Sequence, residues 1–234
     1  MPRVRDFDRT RSLLVDTAGQ LFATQGYDRT SVESIIKQAG VSKGAFYHHF
    51  SSKDELLGAV TDQLDIEASG AIEEVIADTT VGALVRLNRL FATSRSWSLT
   101  HFGLLREMVE VLFREENVRM RRMVEARAAS LTEPLLAGII QQGIDEKIFD
   151  ASEPEETARL ILRLAWVIRE AGVTTLNELG PTDEAFARLQ RRIDHFIDMV
   201  ERMLGAPRGS IIRLSVEPSR ALLMAEARDE AVVK

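Results

Sequence analysis

TSVESIIKQAGVSKGAFYHHFSSK, residues 30–53, reads as two short helices joined by a glycine turn, followed by the cap of a third. Thr30 is placed to cap the first helix, with Glu33 three residues on at capping-box spacing. Val32, Ile35, Ile36 and Ala39 recur at helical spacing and give that helix one apolar stripe. Gly40 follows, where a left-handed residue ends a helix without a Cβ penalty. Val41 plugs the turn, Ser42 caps a second helix carrying Lys43 to His49, and Ser52 with Glu55 opens a third. Helix, tight turn and helix with a small polar start is the form of a DNA-reading helix-turn-helix.

Working outward, a preceding helix is expected over about Asp8–Gln25, after a polar tail at residues 1–8, with Leu14, Ala18, Leu21 and Phe22 buried and Gly26 as its stop. Phe46 and Phe50, four apart, should pack against it and leave Lys43, Gly44, Tyr47 and the histidines nearer the outside. Further helices are expected at about 52–77, 81–94, 99–114, 117–146, 154–177 and 183–204. Pro134 should kink or break the fourth of these near Thr132, and Asp150–Pro154 should cap the fifth. With only 6 prolines and 14 glycines, and no alternating β-branched runs, the chain reads as all-α.

Of the 234 residues 45% are hydrophobic and 28% charged, enough apolar material for a sizeable core. Cysteine is absent, which excludes disulfides and cysteine-ligated zinc. The charged start MPRVRDFDRTR lacks the apolar core of a signal peptide, and the apolar tract at Leu160–Ile168 is broken by Arg163. A cytoplasmic protein without a membrane partner is expected. The net charge of -6 is unevenly spread: residues 1–56 hold 8 Lys+Arg and 7 Asp+Glu, so the acidity lies in residues 57–234.

Together, GYDRTSVESIIKQAGVSKGAFYHHFSSKDELLGAV and the upstream Leu14, Ala18, Leu21, Phe22 and Gly26 resemble the N-terminal domain of the TetR (tetracycline-repressor-like) transcriptional regulators, over roughly residues 9–60. The resemblance implies an N-terminal three-helix DNA-binding domain at 1–52, with its helix-turn-helix at about 31–50. A helical ligand-binding and dimerisation domain would fill 53–205, ahead of a partly disordered tail at 206–234. It implies a homodimer paired through the helices at 154–177 and 183–204, repressing from a palindromic double-stranded operator and answering to an unknown small-molecule effector.

The residues assign themselves to roles in that frame. Thr30 and Ser31 sit at a helix start, where hydroxyls and free N–H groups suit a phosphate, and Lys53 holds the same kind of place. Ser42 caps the reading helix, and Lys43, Gly44 and Ala45 open it, the part that approaches base edges. By the resemblance, Tyr47 and His49 contact the phosphate backbone, with His48 close by. The adjacent histidines point about 100° apart on a helix and lack a third ligand, so no metal is expected. Candidates to line an effector pocket are Phe91, Trp97, His101, Phe102, Arg106, Met108, Phe113 and Trp166, although such a set is more often ordinary core. No catalytic constellation and no cofactor motif is present, so an enzyme is not expected. The rival reading is a helical small-molecule-binding protein or enzyme without DNA binding.

Overall fold

The computed structural model describes residues 2–232, and the regular structure among them is helical. In chain order the helices are α1 (Pro2–Gln25), α2 (Val32–Ala39), α3 (Lys43–His49), α4 (Lys53–Ile76), α5 (Ala83–Thr100), α6 (Phe102–Leu112), α7 (Val118–Asp145), α8 (Pro154–Leu179), α9 (Asp183–Leu204) and α10 (Glu217–Val232). None of the described helices is long and apolar enough to cross a membrane.

The chain divides into two compact units, residues 1–66 with 103–127, and residues 67–102 with 128–234. The unit holding the helix-turn-helix is therefore larger than residues 1–52. In it α1, α2 and α3 pack on one another. Leu14, Ala18 and Phe22 of α1, Ile35 of α2, Phe46 of α3 and Leu56 and Leu57 of α4 are fully buried or nearly so. Those positions follow the apolar stripes of the sequence, which is why the short α2 and α3 hold against α1 and α4 at all.

The second unit is built on a core running from Ile72 and Ile76 through Leu87, Leu136, Ile139, Ile140, Ile161, Ile197 and Val200 to Ile211. Phe91 meets Phe196 edge to face, with ring centroids 6.5 Å apart. α8 and α9 pack extensively on each other. Arg192 of α9 donates to the Ala171 carbonyl and the Thr175 hydroxyl of α8.

Several boundaries differ from expectation, each for a local reason. α1 begins at Pro2, so residues 2–8 are helical and not a loose tail; Pro2 stands at a helix start, where its missing N–H costs nothing. α5 runs unbroken to Thr100, through the Ser94–Ser98 stretch expected to separate two helices. Pro134 lies inside α7 without ending it. The Asp150–Glu153 segment gives α8 no side-chain cap; Glu153 is the cap residue, and Pro154 supplies the first-turn geometry.

The segment after α9 is ordered by a device that composition does not reveal. Asn88 of α5 donates to the Ser210 carbonyl (2.9 Å) and accepts from Ile212 N (2.8 Å). Gln190 of α9 repeats the pattern, donating to Leu214 O (3.0 Å) and accepting from Val216 N (2.9 Å). Each carboxamide thus serves a carbonyl and the N–H two residues later, as a neighbouring strand would. Between them the buried Glu201 carboxylate accepts from Ile211 N at 3.0 Å.

Candidate nucleic-acid interface

α2 ends and α3 begins within three residues, and local hydrogen bonding makes that possible. Ser31, not Thr30, is the cap of α2: its hydroxyl accepts from Ser34 N while the Ser34 hydroxyl accepts from Ser31 N. Glu33 has no part in that box. Gly40 closes α2 in the left-handed conformation (φ 66°), with Val41 N donating to Ile36 O. Ser42 then caps α3 by accepting from Ala45 N at 3.1 Å. The start of α4 shares its capping between two serines: Ser52 accepts from Glu55 N, while the Glu55 carboxylate accepts from the N–H and hydroxyl of Ser51.

Phe46 and Phe50 are buried with ring centroids 6.1 Å apart, which fixes the roll of α3 about its axis. Lys43, Gly44, Tyr47 and His48 consequently face outward, with Ala45 and His49 half-buried beside them. Tyr47 keeps half of its surface exposed. Its ring stands edge-on to Phe46, and the Lys43 ammonium lies 5.9 Å from its centroid. A large amphipathic ring held upright on a solvent-facing helix is poorly explained as core. Burial, with the neighbouring His48 and Arg11 charges, holds the His49 imidazole below the usual histidine range, and Asp8 opposes this.

Two expected contact residues are committed to the fold. Thr30 is buried, and its hydroxyl donates to the Gly26 carbonyl at 2.8 Å, so it is not displayed at a helix start for a phosphate. Lys53 donates to the carbonyls of Tyr27 (2.8 Å) and Thr30 (3.0 Å), with its ammonium 4.0 Å from the Tyr27 ring centroid. Desolvation pushes its pKa down, against the pull of Asp28 and Asp54. A third ammonium proton remains for an anion, but the first two shape the entry to α2.

That entry, Gly26–Thr30, is fastened from α4 and from residues 103–127, which the sequence did not announce. The Tyr27 hydroxyl donates to Asp54. Tyr27 N donates to Glu107 of α6 at 3.3 Å. Arg114 grips the Asp28 carboxylate with two N–H groups, at 2.9 and 2.5 Å, and holds its pKa below the usual carboxylate range. Glu107 reads from sequence as a candidate polar anchor of an effector pocket rather than a fastening of this turn, and no signal marks Arg114.

The candidate effector residues are drawn from both units. Phe91, Trp97, His101, Phe102 and Trp166 belong to the second unit, whereas Arg106, Met108 and Phe113 belong to the unit with the helix-turn-helix. Phe91 and Met108 are buried. Trp97 stacks on His101 with centroids 4.2 Å apart, Arg169 lies 4.8 Å from the Trp166 ring, and Arg121 lies 4.8 Å from the Phe113 ring. Among the described residues no group of three or more His, Asp or Glu is disposed to hold a metal ion.

The N-terminal three-helix arrangement is a helix-turn-helix domain of the kind found in DNA-binding regulators. Residues 14–60 match the family model described as bacterial regulatory proteins, tetR family, which places the helix-turn-helix within that model. The transcriptional repressor DhaR of Mycobacterium sp. (strain GP1) is 34% identical over 82 residues, 35% of this chain and 41% of that protein. The transcriptional repressor KstR2 of Mycobacterium tuberculosis is 29% identical over 184 residues, 73% of this chain and 86% of its own. Several curated relatives are spanned over less than half of their length, at 16%, 41% and 29%. The crystal structure of a TetR-family regulator from Pectobacterium atrosepticum aligns over 87% of this chain and 98% of its own, with a TM-score of 0.62 and 20% identity. The chain therefore shares the all-helical fold of that structure.

Proposed function

We propose that the chain is a sequence-specific transcriptional regulator, a repressor that binds a palindromic DNA operator as a homodimer and releases it when a small molecule occupies the helical C-terminal part. The carrying observation is the outward face of α3, where Lys43, Gly44, Tyr47 and His48 are displayed on a helix whose roll is locked by two buried phenylalanines. In this reading Ser31, Ser42, Lys43, Gly44, Ala45, Tyr47, His48, His49 and the remaining proton of Lys53 form the DNA contact. Gly44 lets the backbone approach a base edge, and the Ala45 methyl suits a thymine methyl. The chain carries out no enzymatic step and works in the cytoplasm.

Dimerisation is supported by α8, which keeps Leu160 and Val167 exposed seven residues apart while its other side packs on α9. Two reading heads about 34–36 Å apart would engage successive major grooves, which a single small head binds weakly. An effector needs only about 1.4 kcal/mol of preference for a non-binding conformation to weaken the operator complex tenfold. The deciding experiment is an electrophoretic shift on DNA upstream of the protein's own gene, against scrambled competitor. A shift that survives the competitor is expected; no specific shift at any salt concentration overturns the proposal.

A further inference from the structure

The DNA-facing surface is short of cations. α3 brings Lys43 and two histidines, Lys53 is largely spent on carbonyls, and Arg29 donates to Gln25 O at 2.6 Å. Phosphate contacts supply much of the affinity of such a protein, so further positive groups beside α3 matter. One stands there on α1. Arg11 is exposed, and its guanidinium lies 5.4 Å from the centroid of the Phe50 ring. Phe50 is the residue on which α3 ends. The ring of His49 lies 6.4 Å from that of Phe50, and the ring of His48 lies 5.6 Å from that of His49. Arg11, Phe50, His49 and His48 thus form a continuous row from α1 along the last turn of α3.

Resting on the regulator reading above, we infer that Arg11 is a phosphate ligand of the DNA complex, extending the contact from α3 onto α1. An arginine laid on an aromatic ring keeps its N–H edge free for a bidentate oxyanion contact, and the stack removes much of the ordering cost. The nearby carboxylates do not occupy it. Glu55 is engaged by the N–H and hydroxyl of Ser51, and Arg11 makes no ion pair among the described residues. The competing role is purely structural, a cation clamping the end of α3 onto α1. Such a clamp would stabilise the fold and leave DNA affinity per folded molecule untouched.

Arg11→Met keeps an apolar stem over Phe50 and removes the charge; Arg11→Lys keeps the charge. Binding of the full-length protein and both variants is measured across a salt series, on the upstream duplex and on a random-sequence duplex, with melting temperatures taken in parallel. A phosphate contact is blind to sequence, so Arg11→Met should lose affinity several-fold and equally on both duplexes. Its slope of log affinity against log salt should fall by about 1, and Arg11→Lys should recover most of the loss. An unchanged slope and affinity for Arg11→Met overturns the inference, all the more if its melting temperature drops. Wild-type protein that shifts neither duplex overturns the regulator reading and this contact together; a defect confined to the variant comparison bears on Arg11 alone.

Discussion

At the scale of single residues, the reading surface divides into side chains free to meet DNA and side chains already spent on the fold. Tyr47 belongs to the first kind. Tyr47→Ala should weaken DNA binding and leave the dimer intact; a chain that falls to monomer by light scattering would show Tyr47 to be structural. Lys53 belongs mainly to the second. Lys53→Met removes two charge-assisted bonds to the carbonyls of Tyr27 and Thr30, and should cost about 1–3 kcal/mol of stability in urea denaturation. Unchanged stability would return Lys53 to a DNA role alone. His49 adds a pH dependence of determined sign. Its folded pKa lies below the unfolded value, chiefly through burial, so the folded state disfavours the proton. Stability is full above the ordinary histidine range and is lost as pH falls through it. A phosphate near His49 acts the other way, so DNA affinity should rise as pH falls from about 7.5 to 6, and His49→Gln should flatten that rise in an anisotropy titration.

At the scale of elements, the apolar stripes of α1, α2 and α3 were legible because short helices have one way to bury Leu14, Phe22, Ile35, Phe46 and Phe50 together. Thr30 was misread as a cap because it and Ser31 present the same chemistry one residue apart. Only the local carbonyl of Gly26, four residues back in the turn, decides between them. The segment at 211–216 reads as extended, but what holds it in place was illegible for a related reason. It is held by side-chain amides from helices more than 20 residues away in sequence, and Asn88 and Gln190 look like ordinary surface polar residues. A further long-range constraint sits at the end of α7. The chain turns back through Lys147 at positive φ (59°), so that Phe149 lies on Gly143. A Cβ at position 143 would come within 2.0 Å of the Phe149 ring, which is buried. Gly143→Ala raises helix propensity, yet it should destabilise by at least about 1–3 kcal/mol because the ring has no room to yield. A melting temperature equal to or above wild type would show that the turn gives way.

At the scale of the whole molecule, the functional claim rests on two copies acting together, and the exposed side of α8 is where that claim is most exposed to test. α9 is amphipathic and buries Phe186, Phe196, Ile197 and Val200 within its own unit. α8 buries Ala158 and Ile161 inward yet leaves Leu160 and Val167 bare, with Leu164 between them only partly covered. A helix apolar on more than one side is explained by a partner on the second side. Leu160→Glu combined with Val167→Glu puts two carboxylates into that stripe without touching the inward face, so each chain should fold with unchanged circular dichroism. The double variant should run as a 26.2 kDa species by light scattering. Its affinity for a palindromic operator should collapse, because the second reading head is no longer delivered at high effective concentration. Binding to random-sequence duplex at low salt should fall far less, since each head keeps its own phosphate contacts. A variant that stays dimeric would place the interface elsewhere on the helical unit. A variant that becomes monomeric yet binds the palindrome as tightly as wild type would remove dimerisation from the mechanism.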